Sequence, residues 1–289
     1  MADGTARTTT DIASAAGVSA GVVKGLADAG ALRPVLLEPA RPFAQPDPLH
    51  HPPTLEGAQE DAAAALRQSV RAKKFSVTLL EGVTGSGKTE IYLEAIAACL
   101  EQGQQALVLL PEIALSAQWM ERFTRRFGVR PAVWHSEIGQ KARRQTWLGA
   151  ADGSVTVVVG ARSALFLPFC NPGLIIVDEE HESLFKQEEG VIYNARDMAV
   201  VRGRLAGFPV VVVSATPSLE TLANAQAGRY QRLVLPTRHG GASLPQTHLL
   251  DMRDAPPERG MFLSPKLVED IAATLGREEQ AMLFLNRRG

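Results

Sequence analysis

Cysteine is nearly absent: the 289 residues contain two, Cys99 and Cys170. Two isolated thiols make no CxxC pair, which excludes a cysteine-held zinc site and a disulfide framework within this chain. A basic surplus is also missing, because 30 Lys and Arg face 31 Asp and Glu, for a net charge of −1. Bulk charge therefore selects neither a nucleic acid nor an acidic substrate, and only local patches could. No long hydrophobic run occurs; VTVVV at 155–159 and VVVV at 210–213 are far too short to span a bilayer. The N-terminus, MADGTARTTTD, lacks a basic-then-apolar signal pattern. Hydrophobic residues at 45%, with 21% charged and 6% aromatic, exclude disorder for most of the chain and allow a sizeable core. Together these features describe a soluble, reduced, cytoplasmic chain of about two domains, with no membrane partner.

The first unit spans residues 1–37. Ile12, Ala15, Val18, Val22, Val23 and Leu26 follow a helical spacing broken once at Gly17-Val18-Ser19. Ser19 can cap a second helix that stops near Gly30. Helix, glycine turn, helix is the pattern of a helix-turn-helix, and a plain helical hairpin fits it equally. The second helix offers few polar groups (Ser19, Lys24, Asp28), whereas reading bases calls for Arg, Asn or Gln. Any contact with DNA there is expected to be structural or to phosphate. Gly17-Val18-Ser19-Ala20-Gly21 also matches G-x-S-x-G, but a nucleophile elbow needs a strand before its serine, and DIASAA is helical in character.

Residues 38–54, EPARPFAQPDPLHHPPT, hold six prolines and read as a stiff linker, with His50 and His51 solvated inside it. From 55 to 236 short β-branched runs alternate with helical segments. VTLL near 77–80, ALVLL at 106–110, PAVWH at 131–135, VTVVV at 155–159, LIIVD at 174–178 and VVVVS at 210–214 are separated by helices such as 88–101, 115–127, 195–206 and 218–227. Continuous apolar strands between helices imply a parallel sheet covered on both faces, an α/β domain. Residues 237–289 read as a connector, a helix from Ser264 to Gly276, and a strand over AMLFL at 281–285 that opens a further lobe. A chain that stops there is expected to be truncated.

Gly82-Val83-Thr84-Gly85-Ser86-Gly87-Lys88-Thr89 matches G-x-x-x-x-G-K-[ST], between a strand and a helical run. The glycines let backbone amides turn inward on an anion, and the helix N-terminus adds its dipole. Lys88 would reach the β- and γ-phosphates of ATP, and Thr89 would bind magnesium. LIIVDEEH places Asp178 at a strand end to hold magnesium and Glu179 to polarise the attacking water. His181 suits a coupling role. VVVVSATPS then brings Ser214 and Thr216, expected to link the phosphate site to a bound strand.

The P-loop, D-E-x-H and S-A-T, in this order on an α/β domain, resemble the first, RecA-like lobe of a superfamily 2 helicase. Five further blocks narrow the resemblance: LLPEIALSAQ at 109–118, WHS at 134–136, VGARSALF at 159–166, DEEHESLFKQ at 178–187 and LFLNRRG at 283–289. They look like the primosomal protein N′ family of replication-restart helicases, whose winged helix the first unit would match in part. The resemblance implies an ATP-dependent 3′-to-5′ DNA helicase acting at stalled replication forks. Forked or junction DNA, replisome-loading proteins and single-strand-binding protein would be its partners. It further implies that Gln59 contacts adenine, that Pro111, Glu112 and Gln118 track single-stranded DNA, and that Gly160, Arg162 and Ser163 hold its backbone. Phe185, Lys186, Tyr193 and Arg196 would form an aromatic-rich coupling loop, where a ring can stack on any base; ordinary core packing is the other reading of Phe185 and Tyr193. Ser116 and Phe185, where Thr and Tyr are common in the family, are mild departures.

Between Glu121 and Arg144 lie seven Lys and Arg against two acids, either a phosphate-contacting face or a solvated one. The family's zinc module, and with it zinc, is expected only in a C-terminal part beyond this chain. Its second lobe, which supplies an arginine to the transferring phosphate, is expected there too. The chain by itself should therefore bind ATP and DNA, hydrolyse poorly and not unwind. The alternative is a free-standing ATP-binding module that grips DNA without turnover.

Overall fold

The computed structural model of the chain describes residues 7–35, 43–111, 117–238, 246–254, 256–257 and 260–284. Contacts divide it into two compact units, residues 1–241 and 242–289. The larger begins with α1 (Thr9–Ala16), whose first turn is capped by the Thr8 hydroxyl accepting from the Asp11 amide at 3.1 Å. A turn at Gly17 leads to α2 (Ala20–Asp28). Ser19 sits just before α2 in extended backbone, between two helices and with no strand before it.

The α/β body follows: α3 (Ala58–Arg71), β1 (Val77–Gly82), α4 (Lys88–Glu101), β2 (Gln105–Leu109), α5 (Ala117–Phe127), β3 (Ala132–Trp134), α6 (Gln140–Asp152), β4 (Val157–Gly160) and β5 (Pro172–Asp178). A two-stranded antiparallel ribbon, β6 (Lys186–Gln187) with β7 (Tyr193–Asn194), precedes α7 (Ala195–Ala206), β8 (Val210–Ser214), α8 (Leu219–Gln226) and β9 (Gln231–Leu235). Seven strands form one parallel sheet in the order β3-β4-β2-β5-β8-β1-β9. This is the RecA-like α/β arrangement expected of the domain.

Both faces of the central strands β2, β4, β5 and β8 are buried, which is why these strands are largely apolar rather than alternating, whereas the edge strand β9 is mostly exposed. On one face Leu80, Val108, Ile176 and Val213 pack with Leu66, Ile91, Ile96 and Phe123 from α3, α4 and α5. On the other, Leu79, Leu107, Ile175 and Val212 pack with Leu165, Phe185 and Ala199. Each of the Val, Leu, Ile and Phe side chains contributes roughly 1.5–3 kcal/mol on burial. Parallel strands also put every carboxyl end on one edge, so the loops after β1, β2, β4, β5 and β8 meet there.

Gly160 ends β4 against the chain it crosses. A Cβ there would lie 2.3 Å from the Trp134 carbonyl oxygen and 2.8 Å from Ala164 Cβ. Gly160→Ala should cost about 1–3 kcal/mol by overpacking, and thermal melting several degrees lower would register it. An unchanged melting temperature would mean that β3 yields without strain.

Three sequence expectations need correction. The proline-rich stretch is no free linker where it is described. Phe43 packs on the sheet's second apolar face, Gln45 Nε2 donates to Ser154 O at 2.8 Å, the Asp47 amide to Phe127 O at 3.1 Å, and Arg126 Nη1 to Pro48 O at 2.8 Å. Proline removes donors from the strap itself, yet its remaining amides and carbonyls still need partners, and the body supplies them. Residues 281–284 form no strand, and Met282 and Phe284 are exposed; an apolar run makes no ladder without a neighbouring strand. Finally, Val155 and Thr156 precede β4 rather than open it. α3, α6 and β9 lie outside the runs singled out in the sequence, although α3 buries one face through Ala62, Ala63, Leu66 and Val70. In the second unit, α9 (Pro265–Gly276) starts as expected, with the Ser264 hydroxyl accepting from the Leu267 amide at 3.2 Å.

Candidate functional site

The loop between β1 and α4 turns its backbone toward the N-terminus of α4. Gly87 takes the left-handed region (φ 88°), and a Cβ there would meet Gln59 Nε2 at 2.6 Å, so only glycine lets Gln59 reach in. Gln59, from the second residue of α3, donates through that Nε2 to the Ser86 carbonyl at 2.8 Å. Thr84, Gly85, Ser86, Gly87, Lys88 and Thr89 line a cavity of about 600 Å³ together with Gln59, Gln118, Arg122, Asp178 and Glu179. Gly82 closes the strand beneath it.

Lys88 donates to the Gly82 and Val83 carbonyls at 2.7 and 3.4 Å. Burial lowers its pKa, opposed by the charges of Glu179 and Asp178. Asp178 is 8% exposed at the end of β5. Burial pushes its carboxyl up to about 6, a donated hydrogen bond from Tyr92 acts against this, and neighbouring Glu179 adds to it. The Tyr92 hydroxyl donates to Asp178 Oδ2 at 2.8 Å and the Glu179 amide to Oδ1 at 3.0 Å. Glu179 has φ 51°, a left-handed conformation that costs a non-glycine residue energy and here turns the chain sharply as it leaves the strand.

The donor set fits a magnesium nucleotide. Thr89, Asp178 and Glu179 present hard oxygens. The buried Ser86 hydroxyl has no hydrogen-bond partner among the described residues and lies beneath the loop against Gly82. No cluster of three or more His, Cys, Asp or Glu able to hold a metal occurs among the described residues.

His181 Nδ1 lies 2.8 Å from Ser214 Oγ, which also accepts from the Thr216 amide at 3.0 Å. D-E-x-H and S-A-T are thus joined by one hydrogen bond. A stronger joint went unread in the sequence. Glu180, fully buried, accepts from the Ser218 amide (2.7 Å), Ser218 Oγ (3.0 Å), Thr221 Oγ1 (2.9 Å) and Arg196 Nη1 (3.1 Å). Arg196 also pairs with Asp197 at 2.8 Å. Its placement in a coupling loop is therefore corrected in character: it is a buried ion-pair partner, 8% exposed, rather than a group facing a strand.

A second cavity, about 380 Å³, opens at the same sheet edge beyond β2 and β4, lined by Pro111, Ser136, Arg143, Arg162, Ser163 and Tyr193 among others. Arg162 Nη1 donates to the Leu184 and Lys186 carbonyls at 3.3 and 2.6 Å, tying this cavity to the segment after D-E-E-H. Trp134 Nε1 donates to Ser163 Oγ at 3.1 Å, and the Arg143 guanidinium lies 5.3 Å from the Trp134 ring. Lys186 is exposed and pairs with Glu188 at 3.0 Å.

Phe185 is 1% exposed in the core, so its ring offers no face to a base; the core-packing reading holds for it. The exposed ring nearby is Phe166, edge-on to Tyr193 at 5.3 Å. Gln118 lines the nucleotide cavity rather than the second one. Gly160 is a packing position, Thr216 is exposed, and Glu112 lies outside the described residues. The basic stretch is not one face either. Arg126 is buried against Glu94 at 2.8 Å, Arg122 lines the nucleotide cavity, and Arg143 lines the other.

Three comparisons bear on these cavities. The family described as DEAD/DEAH box helicase matches residues 58–225. Replication restart protein PriA of Rickettsia conorii is 45% identical over 237 residues, 82% of this chain and 36% of that protein. Its namesake from Bacillus subtilis is 44% identical over 249 residues, 86% of this chain and 30% of that protein. The chain thus spans about a third of the length of these relatives. Among solved structures, RecG bound to a three-way DNA junction superposes with a TM-score of 0.57 at 24% identity, over 78% of this chain and 28% of that one, a likeness of fold.

Proposed function

Because this chain belongs to the DEAD/DEAH box helicase family, we propose that it is the ATP-binding lobe of a replication-restart DNA helicase that moves 3′ to 5′ and acts at stalled forks. The observation that carries the reading is the convergence of Lys88, Thr89, Asp178 and Glu179 on one cavity at the sheet edge. Similarity to replication restart proteins over more than four fifths of the chain supports the choice of DNA and of restart. Replisome-loading proteins and single-strand-binding protein are proposed partners on the same ground. No helix among the described residues is long and apolar enough to cross a membrane.

In this reading the P-loop amides and Lys88 hold the β- and γ-phosphates, and Lys88 exchanges its present carbonyl partners for phosphate oxygens. Gln59 takes the adenine. Thr89 and Asp178 hold magnesium, which when bound supplies charge neutralisation at the β- and γ-oxygens. Glu179 polarises the attacking water. Single-stranded DNA lies over the second cavity, its backbone held by Arg162, Ser163 and Pro111, with Tyr193 at its rim. The hydrogen bond between His181 and Ser214 then carries the state of one cavity to the other.

Among the described residues the only guanidinium lining the nucleotide cavity is Arg122, which lies 3.7 Å from Glu90. An arginine on the transferring phosphate is worth on the order of 10³–10⁵ in rate. The chain alone should therefore bind ATP yet turn it over very slowly. Nucleotide binding and ATP hydrolysis, each with and without forked DNA, test this beside Lys88→Ala. Binding weakened at least about tenfold in Lys88→Ala, with negligible turnover in both, is the expected result. Robust turnover that depends on Lys88 would show that no further arginine is needed.

A further inference from the structure

Tyr92 is completely buried in α4, one turn beyond Thr89, and neither the P-loop nor D-E-x-H includes it. Its hydroxyl has two hydrogen-bond partners among the described residues. Trp119 Nε1, on α5, lies 2.6 Å away and Asp178 Oδ2 lies 2.8 Å away, with the Thr89 side chain close enough to influence it electrostatically. The direction of the chain follows from donor chemistry. An indole N–H only donates, so the tyrosine oxygen accepts from Trp119, and its single proton goes to the carboxylate.

A tyrosine core residue could end such a chain on any carbonyl. This one touches both side chains expected to hold magnesium, and it is itself held from α5. That helix begins directly after residues 111–116, and its second residue, Gln118, lines the nucleotide cavity. We propose that Tyr92 is a positioning residue for the magnesium site, setting the rotamers of Asp178 and Thr89 from an anchor on Trp119. The inference rests on the nucleotide reading above. Partners that orient metal-holding groups commonly change metal affinity by 10- to 100-fold when removed.

Tyr92→Phe keeps the ring and deletes the hydroxyl; Trp119→Phe keeps the contact with Phe123 and deletes the indole donor. Binding of a fluorescent ATP analogue to the 289-residue chain would be titrated with magnesium, and separately measured in EDTA. Tyr92→Phe should raise the magnesium concentration at half-saturation about tenfold, and Trp119→Phe about threefold, with metal-free nucleotide affinity unchanged. Circular dichroism and melting would show both variants folded. A tyrosine that merely fills the core would leave the magnesium titration unmoved, and that result in either folded variant overturns the proposal. Equal weakening with and without magnesium overturns it as well, because the effect would then lie in the P-loop. If the unsubstituted chain bound no nucleotide at all, the reading beneath the proposal would fall, which is a different and distinguishable failure.

Discussion

Glu180→Ala should destabilise the larger unit by roughly 3–5 kcal/mol, because it strands the buried Arg196 guanidinium and three further donors. Arg196 would retain the neutral Ser218 hydroxyl at 2.6 Å and the largely exposed Asp197, and neither replaces a buried carboxylate. Urea unfolding should show a midpoint lower by about 1–2 M. Glu180→Gln should fall between, since an amide keeps one acceptor oxygen and turns two donors toward a site that already supplies donors. Arg196→Met supplies the decisive comparison. Paired with Glu180→Ala it should cost less than the two single changes added together, because neither charge is then left alone. Additive losses would mean that the two residues act separately. The network also has a functional place: it fastens the start of α8 and the S-A-T segment to the residue that follows Glu179. Loosening it should weaken communication between the two cavities before it affects nucleotide binding.

Asp178→Asn is expected to act in opposite directions on function and on stability. Magnesium-dependent nucleotide binding should drop by at least about a hundredfold, since the amide withdraws the buried charge that a divalent cation needs. The unliganded fold should become more stable. A carboxyl that titrates at about 6 in the fold and ordinarily at 3.8 weakens the folded state at neutral pH by on the order of 3 kcal/mol. That corresponds to a melting temperature higher by about 5–10 °C in the variant. The pH dependence has a definite sign. Above pH 6 the carboxyl is ionised in both states and the burial cost is complete. Between about 6 and 3.8 the folded chain keeps the proton that the unfolded chain has lost, so the cost shrinks as the pH falls. The stability gap between Asp178→Asn and the parent should therefore be widest at pH 7.5 and nearly closed at pH 4. A gap that persists at pH 4 would place its origin in packing rather than charge. Tyr92 can still donate to the amide oxygen, but the amide nitrogen then faces the Glu179 N–H that the second carboxylate oxygen accepted, which takes back part of the gain.

Much of this protein could be read from residues that are neighbours in the chain. The parallel sheet announced itself because strands buried on both faces must be apolar at every position, as in VVVV at 210–213. The phosphate loop was legible because its chemistry is a run of consecutive amides followed by Lys88 and Thr89, and a helix N-terminus is likewise local. Asp178 and Glu179 were legible for the same reason, at the end of an apolar strand.

What stayed hidden is held together across long stretches of chain. Tyr92 meets Asp178 across 86 positions and Trp119 across 27; Glu180 meets Ser218 across 38 and Arg196 across 16. No spacing rule links such pairs, because the distance between them is set by how α4, α5, α7 and α8 pack on the sheet. The same packing put Phe185 in the core and left Phe166 exposed, a choice that two aromatic residues in loop-like sequence do not reveal. It also divided the basic run, since α5 packs on one face of the sheet and α6 on the other, and Arg126 found a buried carboxylate in Glu94. By itself the sequence determined the sheet, the phosphate loop and the acid that faces it, because local hydrogen bonding and burial dictate those residue types. Only the tertiary structure decided which polar side chains hold that acid, and which rings and cations remain free to meet a ligand, because desolvation acts on surfaces that exist only once the chain has closed on itself.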